Sequence, residues 1–163
     1  MDALHFHLLI THLPVFASVG GALLLAYGLK SDSRELRQAS YLVLAFAAAG
    51  AIASNISGER AEHAAEELPG VLESLIEEHE ESVGLVLWML IPAGIFSLLA
   101  VWAQKSRKEL EKRFAYLALG LSLAGFAGVA RTAWLGGQIR HSEIRSGAAS
   151  PEAGHEEEPE EKD

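Results

Sequence analysis

Along the chain, long apolar stretches alternate with short charged ones. Residues 4–29, 39–57, 83–103 and 114–139 contain no Asp, Glu or Lys. Each stretch is about 20 residues or longer, which a helix rising ~1.5 Å per residue needs to cross ~30 Å of hydrocarbon. A soluble core helix in a chain this short rarely needs such length, so the pattern predicts four membrane-spanning helices. Two of them carry small residues at every fourth position: Gly50, Ser54 and Gly58 in the second, and Gly120, Ala124, Gly128, Thr132 and Gly136 in the fourth. Such stripes let helix backbones approach closely in lipid. They predict an all-α integral membrane four-helix bundle, and they suit helix–helix partners equally well.

The polar segments set the expected orientation. Lys30, Arg34 and Arg37 follow the first span, and Lys105, Arg107, Lys108, Lys112 and Arg113 follow the third. The longer segment 58–82 carries Arg60 against nine glutamates. By the positive-inside rule the two basic loops face the cytoplasm, with both termini and the acidic loop outside. Arg140 and Arg145 on the outer side count against this but are outnumbered. The expected arrangement is therefore an integral membrane protein, N-out and C-out. The acidic loop itself reads as helical. Leu72, Ile76, His79, Val83, Val86 and Leu90 form an apolar stripe whose other faces carry glutamates, and Gly58–Leu68 precedes a Pro69-Gly70 break. Residues 1–146 then form the bundle domain, and 147–163, ending PEAGHEEEPEEKD, form a disordered acidic tail.

Composition narrows the chemistry. The chain has 163 residues, half of them hydrophobic, with 21% charged residues kept apart from the apolar ones. It has no cysteine, which excludes disulfides, thiol nucleophiles and cysteine-held iron–sulfur clusters. A formal charge of −9 argues against nucleic acid as a partner. The opening MDALHFH lacks the basic n-region of a secretory signal, so the first span reads as retained. No phosphate-binding glycine loop, nucleophile elbow or Ser–His–Asp arrangement can be nominated, so bond-making catalysis has no residues behind it.

The histidines supply the candidate site. His5, His7 and His12 lie in the outer half of span one, His63 in the acidic loop, His79 before span three, His141 after span four and His155 in the tail. None falls in a basic loop. Counted at ~1.5 Å per residue from the cytoplasmic ends of the apolar stretches, His7, His79 and His141 share a layer ~34–41 Å up. His12 and Arg131 come out ~25–27 Å up on the same ruler, with Glu59 as the acidic partner for Arg131. His79 lies in the buried stripe, and His141 shares a face with Trp134, Gly137 and Ile144, as if span four continued past the surface.

Imidazole is the usual nitrogen ligand of haem iron and of transition metals. One reading is a membrane electron-transfer protein holding a b-type haem by His79 with His7 or His141. His12 with Arg131 would form a supporting layer or a second site. Gly136 and Gly137 would give the macrocycle room, Trp134 and Phe126 would line it, and Arg131 or Arg140 would meet a propionate. No CxxCH occurs, so a covalent c-type haem is excluded. Redox partner proteins would then meet it on the outer side. A second reading is a zinc, copper or iron site built from the same histidines, or from Glu59, His63 and Glu67 on one helical face. No HExxH is present for a metalloprotease of that design. A third reading is a structural subunit of a larger membrane complex without any cofactor.

The same residues carry a family likeness. HLLITHLP resembles the LHPLLVHFP-type opening of a bacterial four-helix membrane family, domain of unknown function 2231, with His7, His12 and Pro14 in the matching places. His79 matches that family's histidine before span three. Gly136-Gly137-Gln138-Ile139-Arg140-His141 resembles its closing GGELVYRHG motif, shortened here by two residues, which rotates His141 relative to the family pattern. Members are sometimes fused to Rieske iron–sulfur domains, so the resemblance implies redox business in the cell envelope.

Overall fold

The computed structural model describes residues 3–67 and 70–145, apart from the side chains of His63 and Arg140. The expected tail 147–163 lies outside the described residues. The chain runs α1 (Ala3–Ile10), α2 (His12–Lys30), α3 (Arg34–Glu66), α4 (Glu73–Ala103) and α5 (Lys108–Arg140), then a 3₁₀ turn at Ser142–Ile144. Among the described residues there is no strand. Four helical runs are long and apolar enough to cross a membrane: Ala3–Lys30, Arg34–Glu62, Glu73–Ala103 and Lys108–Ile139.

The helices overrun the apolar stretches that announce them. α3 and α4 continue well past residues 57 and 83 at the acidic end, and α5 starts at Lys108 rather than near Phe114. The loop helix expected to reach Leu68 ends at Glu66, with Leu68 and Pro69 outside the described residues. The first span, expected as one helix, is divided at Thr11. Pro14 has no N–H for the Ile10 carbonyl, and its ring crowds that turn. α5 also stops sooner than the face shared by His141 and Ile144 suggested. Arg145 folds back onto the carbonyls of Gln138 (2.8 Å) and Ile139 (3.0 Å) and closes the helix end.

Successive spans pack as antiparallel neighbours, and α2 closes the ring against α5, so spans one and three, and spans two and four, are diagonal. Tight turns make this possible. At α2–α3, Asp32 takes a left-handed φ of 50°, a conformation Asp tolerates better than most residues. Ser33 then accepts the Leu36 N–H at 3.3 Å, as a residue before a helix does. Between helices the approach is close. A Cβ added at Gly94 would lie 2.6 Å from the Cβ of Ala48, and one at Gly125 would lie 2.5 Å from the Leu90 side chain. The expected stripe in α5 only partly serves this purpose: Gly128 meets Val86 and Gly136 meets His79, while Gly120 faces open space.

Two apolar clusters fill the interior. Leu25, Tyr41, Leu44, Ala100, Ala115 and Ala118 pack toward the basic end. Ala51, Val86, Leu90 and Val129 pack toward the acidic end. Outward the bundle is apolar too, with Trp88 80% exposed and Phe16, Leu23 and Tyr116 also facing out, as a lipid-contacting surface requires.

One polar cluster crosses the diagonal. Arg37 in α3 donates through Nε to Glu111 Oε1 of α5 at 2.8 Å, and Tyr41 donates its hydroxyl to the same oxygen at 2.7 Å. Arg37 Nη1 also reaches Asp32 at 3.1 Å. Glu111 is 2% exposed and Arg37 7%, so the ion pair is shut away from water. Removing one partner leaves an uncompensated buried charge. Arg37→Leu should therefore cost about 3–5 kcal/mol of unfolding free energy, whereas Arg37→Met with Glu111→Met should cost far less. Thermal or denaturant unfolding of the two variants in detergent checks this; equal losses would mean the charge itself is not what matters.

Candidate functional site

The acidic end holds the histidines, and the structure sorts them. His7 lies in α1 and is half-buried against α3, its ring seated on Gly58 with Cε1 3.1 Å from where a Cβ would stand. Its Nδ1 lies 3.0 Å from Ser57 Oγ. Ser57 spends its own proton on the Ser54 carbonyl at 2.9 Å, so its oxygen accepts and the proton sits on Nδ1 of His7. His79 lies in α4 and is half-buried against α5, its ring seated on Gly136 with Cε1 again 3.1 Å from the absent Cβ. Its Nδ1 donates to the Thr132 carbonyl at 3.1 Å, an acceptor that fixes the same tautomer. Behind that carbonyl, Thr132 Oγ1 donates to Gly128 at 3.0 Å and accepts from Ser82 Oγ at 2.7 Å.

The two rings therefore form a matched set. Each comes from one of two diagonal spans, rests on a glycine of the neighbouring helix, and commits its Nδ1–H to a fixed acceptor. With Nδ1 protonated, Nε2 of each ring carries the lone pair. Among the described residues the one buried side-chain polar atom left unpartnered is Ser54 Oγ, one turn before Ser57. A ring whose Nδ1–H is held while Nε2 carries the lone pair is the arrangement of a metal-binding imidazole with its outer hydrogen bond in place.

The remaining candidates lie apart from this pair. His12 is exposed, bonds the Leu8 carbonyl through Nδ1 at 2.8 Å, and stacks on Phe16 with centroids 6.3 Å apart. His141 is exposed past the end of α5 and pairs with Glu143 at 2.8 Å. Backbone N–H donation and then His141 hold the Glu143 carboxyl below the usual carboxylate range. Arg131 does not pair with Glu59, whose carboxylate instead accepts from Asn55 at 2.8 Å. Its partner is Glu78 at 3.7 Å, both about half exposed. The correction has a simple cause. Counting depth from Phe114 instead of from the start of α5 at Lys108 places every α5 residue ~9 Å too low. Arg131 therefore stands level with α4 residues beside His79, and His141 lies beyond the layer of the two rings. His5 is exposed on α1. Glu59 lies within α3, while Glu67 falls past its end; the His63 side chain is outside the described residues. Among the described residues no three His, Asp or Glu side chains gather as metal ligands.

A family of known sequence pattern covers nearly the whole of this bundle: the family described as "Predicted membrane protein (DUF2231)" matches residues 3–143. The chain belongs to DUF2231. No curated protein and no solved structure matches the chain. The match takes in all five helices and both rings, so the His7–His79 set sits inside the segment that defines this DUF2231 protein.

The sequence nominates both histidines but not the groups that hold them. Ser57 and Thr132 act through one hydroxyl and one backbone carbonyl, and neither announces itself in a row of small helical residues. The tautomers are directly measurable. In histidine-¹⁵N-labelled protein, His7 and His79 should each show a protonated-type Nδ1 and a lone-pair-type Nε2. Ser57→Ala should disturb His7 and leave His79 unchanged; a protonated Nε2 on both rings would contradict the assignment.

Proposed function

We propose that this chain is a membrane redox protein that holds a b-type haem between His7 and His79. The observation carrying the reading is the matched pair of diagonal imidazoles, each with Nδ1 committed and the lone pair on Nε2. The donor set discriminates between cofactors. Zinc or copper held by protein alone needs three or four side-chain ligands. Haem brings four equatorial nitrogens of its own and asks the protein for two axial imidazoles. Two is the number of half-buried histidines with a held Nδ1 that this reading uses, His7 and His79.

Features of the surroundings support the reading. Gly58 and Gly136 supply flat floors where a side chain would crowd the rings. α1 packs on α3 and makes at most slight contact with α5, so that flank of the acidic end is the least closed part of the bundle. When bound, such a haem would supply one-electron transfer. The chain's residues would hold it, orient the two imidazoles through Ser57 and Thr132, and keep bulk water from the deeper core. Arg131 stands at the right level to meet a propionate but is engaged with Glu78. By the positive-inside argument the acidic end is the outer one, in a bacterial inner membrane, where redox partner proteins would dock.

Absorption spectra with and without dithionite test the reading, on protein purified in mild detergent from cells supplied with ample haem and iron. The expected result is a Soret band that shifts on reduction and is lost in His7→Ala and in His79→Ala. The band should persist in His12→Ala and His141→Ala. Stoichiometric metal without a Soret band would favour a zinc, copper or iron site instead. Neither signal would leave a structural subunit of a larger membrane complex.

A further inference from the structure

The opposite end of the bundle carries a charge imbalance that the haem reading does not use. Lys105, Arg107, Lys108, Lys112 and Arg113 are all exposed, and none has an acidic partner among the described residues. Two glutamates lie in the same stretch, but Glu111 is turned inward to Arg37. Glu109 alone is left to offset five cations. The other turn at this end is different: Asp32 and Glu35 accompany its basic residues, and Asp32 is bonded to Arg37.

We propose that the α4–α5 turn binds the phosphate-bearing headgroup of an anionic phospholipid. Residues Lys105 to Leu110 line a surface hollow. Beside it, the Arg107 guanidinium lies 5.4 Å from the ring centroid of Trp102, which is 60% exposed on the last turn of α4. That stack keeps one cation along the flank of the bundle, at the depth where an indole meets headgroups, instead of extended into water. Directly below lies apolar surface, with Leu98, Leu99, Tyr116 and Leu117 facing out. A phospholipid alone among common anions matches both parts, placing its phosphate among the cations and its acyl chains along that flank. Free phosphate would use the cations but gain nothing from Trp102 or the apolar strip.

The test uses the full chain in mild detergent, with native mass spectrometry and thermal unfolding in the presence of phosphatidylglycerol, phosphatidylcholine or inorganic phosphate. Phosphatidylglycerol should be retained and should raise the unfolding midpoint, and phosphatidylcholine should do neither. Lys105→Ala with Lys108→Ala should weaken phosphatidylglycerol retention by roughly tenfold or more, the loss of two close charge contacts. Lys30→Ala with Arg34→Ala, the same charge change at the other turn, should leave it intact. Trp102→Leu, which keeps every charge, should weaken it several-fold. Equal loss in the two double variants would reduce the effect to overall surface charge and overturn the site. Equal stabilisation by inorganic phosphate would make it a free-anion site, and equal retention of both lipids would remove headgroup recognition. Either would also overturn the proposal.

Discussion

Between packed helices a polar side chain has only the protein to bond with, and that constraint shapes this bundle. Arg37, Tyr41 and Glu111 meet it by bonding one another across a diagonal where α3 and α5 otherwise barely touch. The buried serines meet it locally, returning their hydroxyls to carbonyls three or four residues back, as Ser40, Ser97 and Ser122 do. Small side chains then serve twice. They satisfy their own polarity, and they let neighbouring backbones come close enough for dispersion contacts to hold helices that lipid does not push together.

The two ends answer the constraint differently. At the basic end the turns are short, the ion pair is closed over, and the larger apolar cluster packs around Tyr41. At the acidic end the first span is broken at Thr11, and its terminal segment α1 leans on α3 without closing against α5. A closed end and a less closed one follow from one proline and from where the buried charges sit. The less closed end is where the imidazoles are.

The spans were legible because lipid demands an uninterrupted apolar length, and the face of His79 was legible because glutamates mark the other faces of its helix. His7 could not be chosen over His12 from the row, since residues around both are apolar on every side and carry no phase. Their separation came from packing: one ring found Gly58, the other stacked on Phe16. Glu111 was hidden for the opposite reason. Inside KELEKR it reads as one more loop charge, and only the early start of α5 turns it inward. The same early start displaced the depth assigned to Arg131. Apolar stretches report where lipid is tolerated and say little about where a helix begins.

The polar atoms left over are unevenly distributed. The basic end leaves no buried side-chain polar atom unpartnered among the described residues, whereas the acidic end leaves Ser54 Oγ so. A bundle that satisfies an arginine and a glutamate in its interior is able to satisfy a serine and to hold two imidazoles by one nitrogen each. Apolar side chains at positions 7 and 79 would have avoided the problem altogether. Two rings instead stand on glycine floors with their Nδ1 protons tied down, an arrangement that lowers the freedom of each ring while leaving its lone pair on Nε2. On the proposed reading, it is these two held rings that a group from outside the chain would meet.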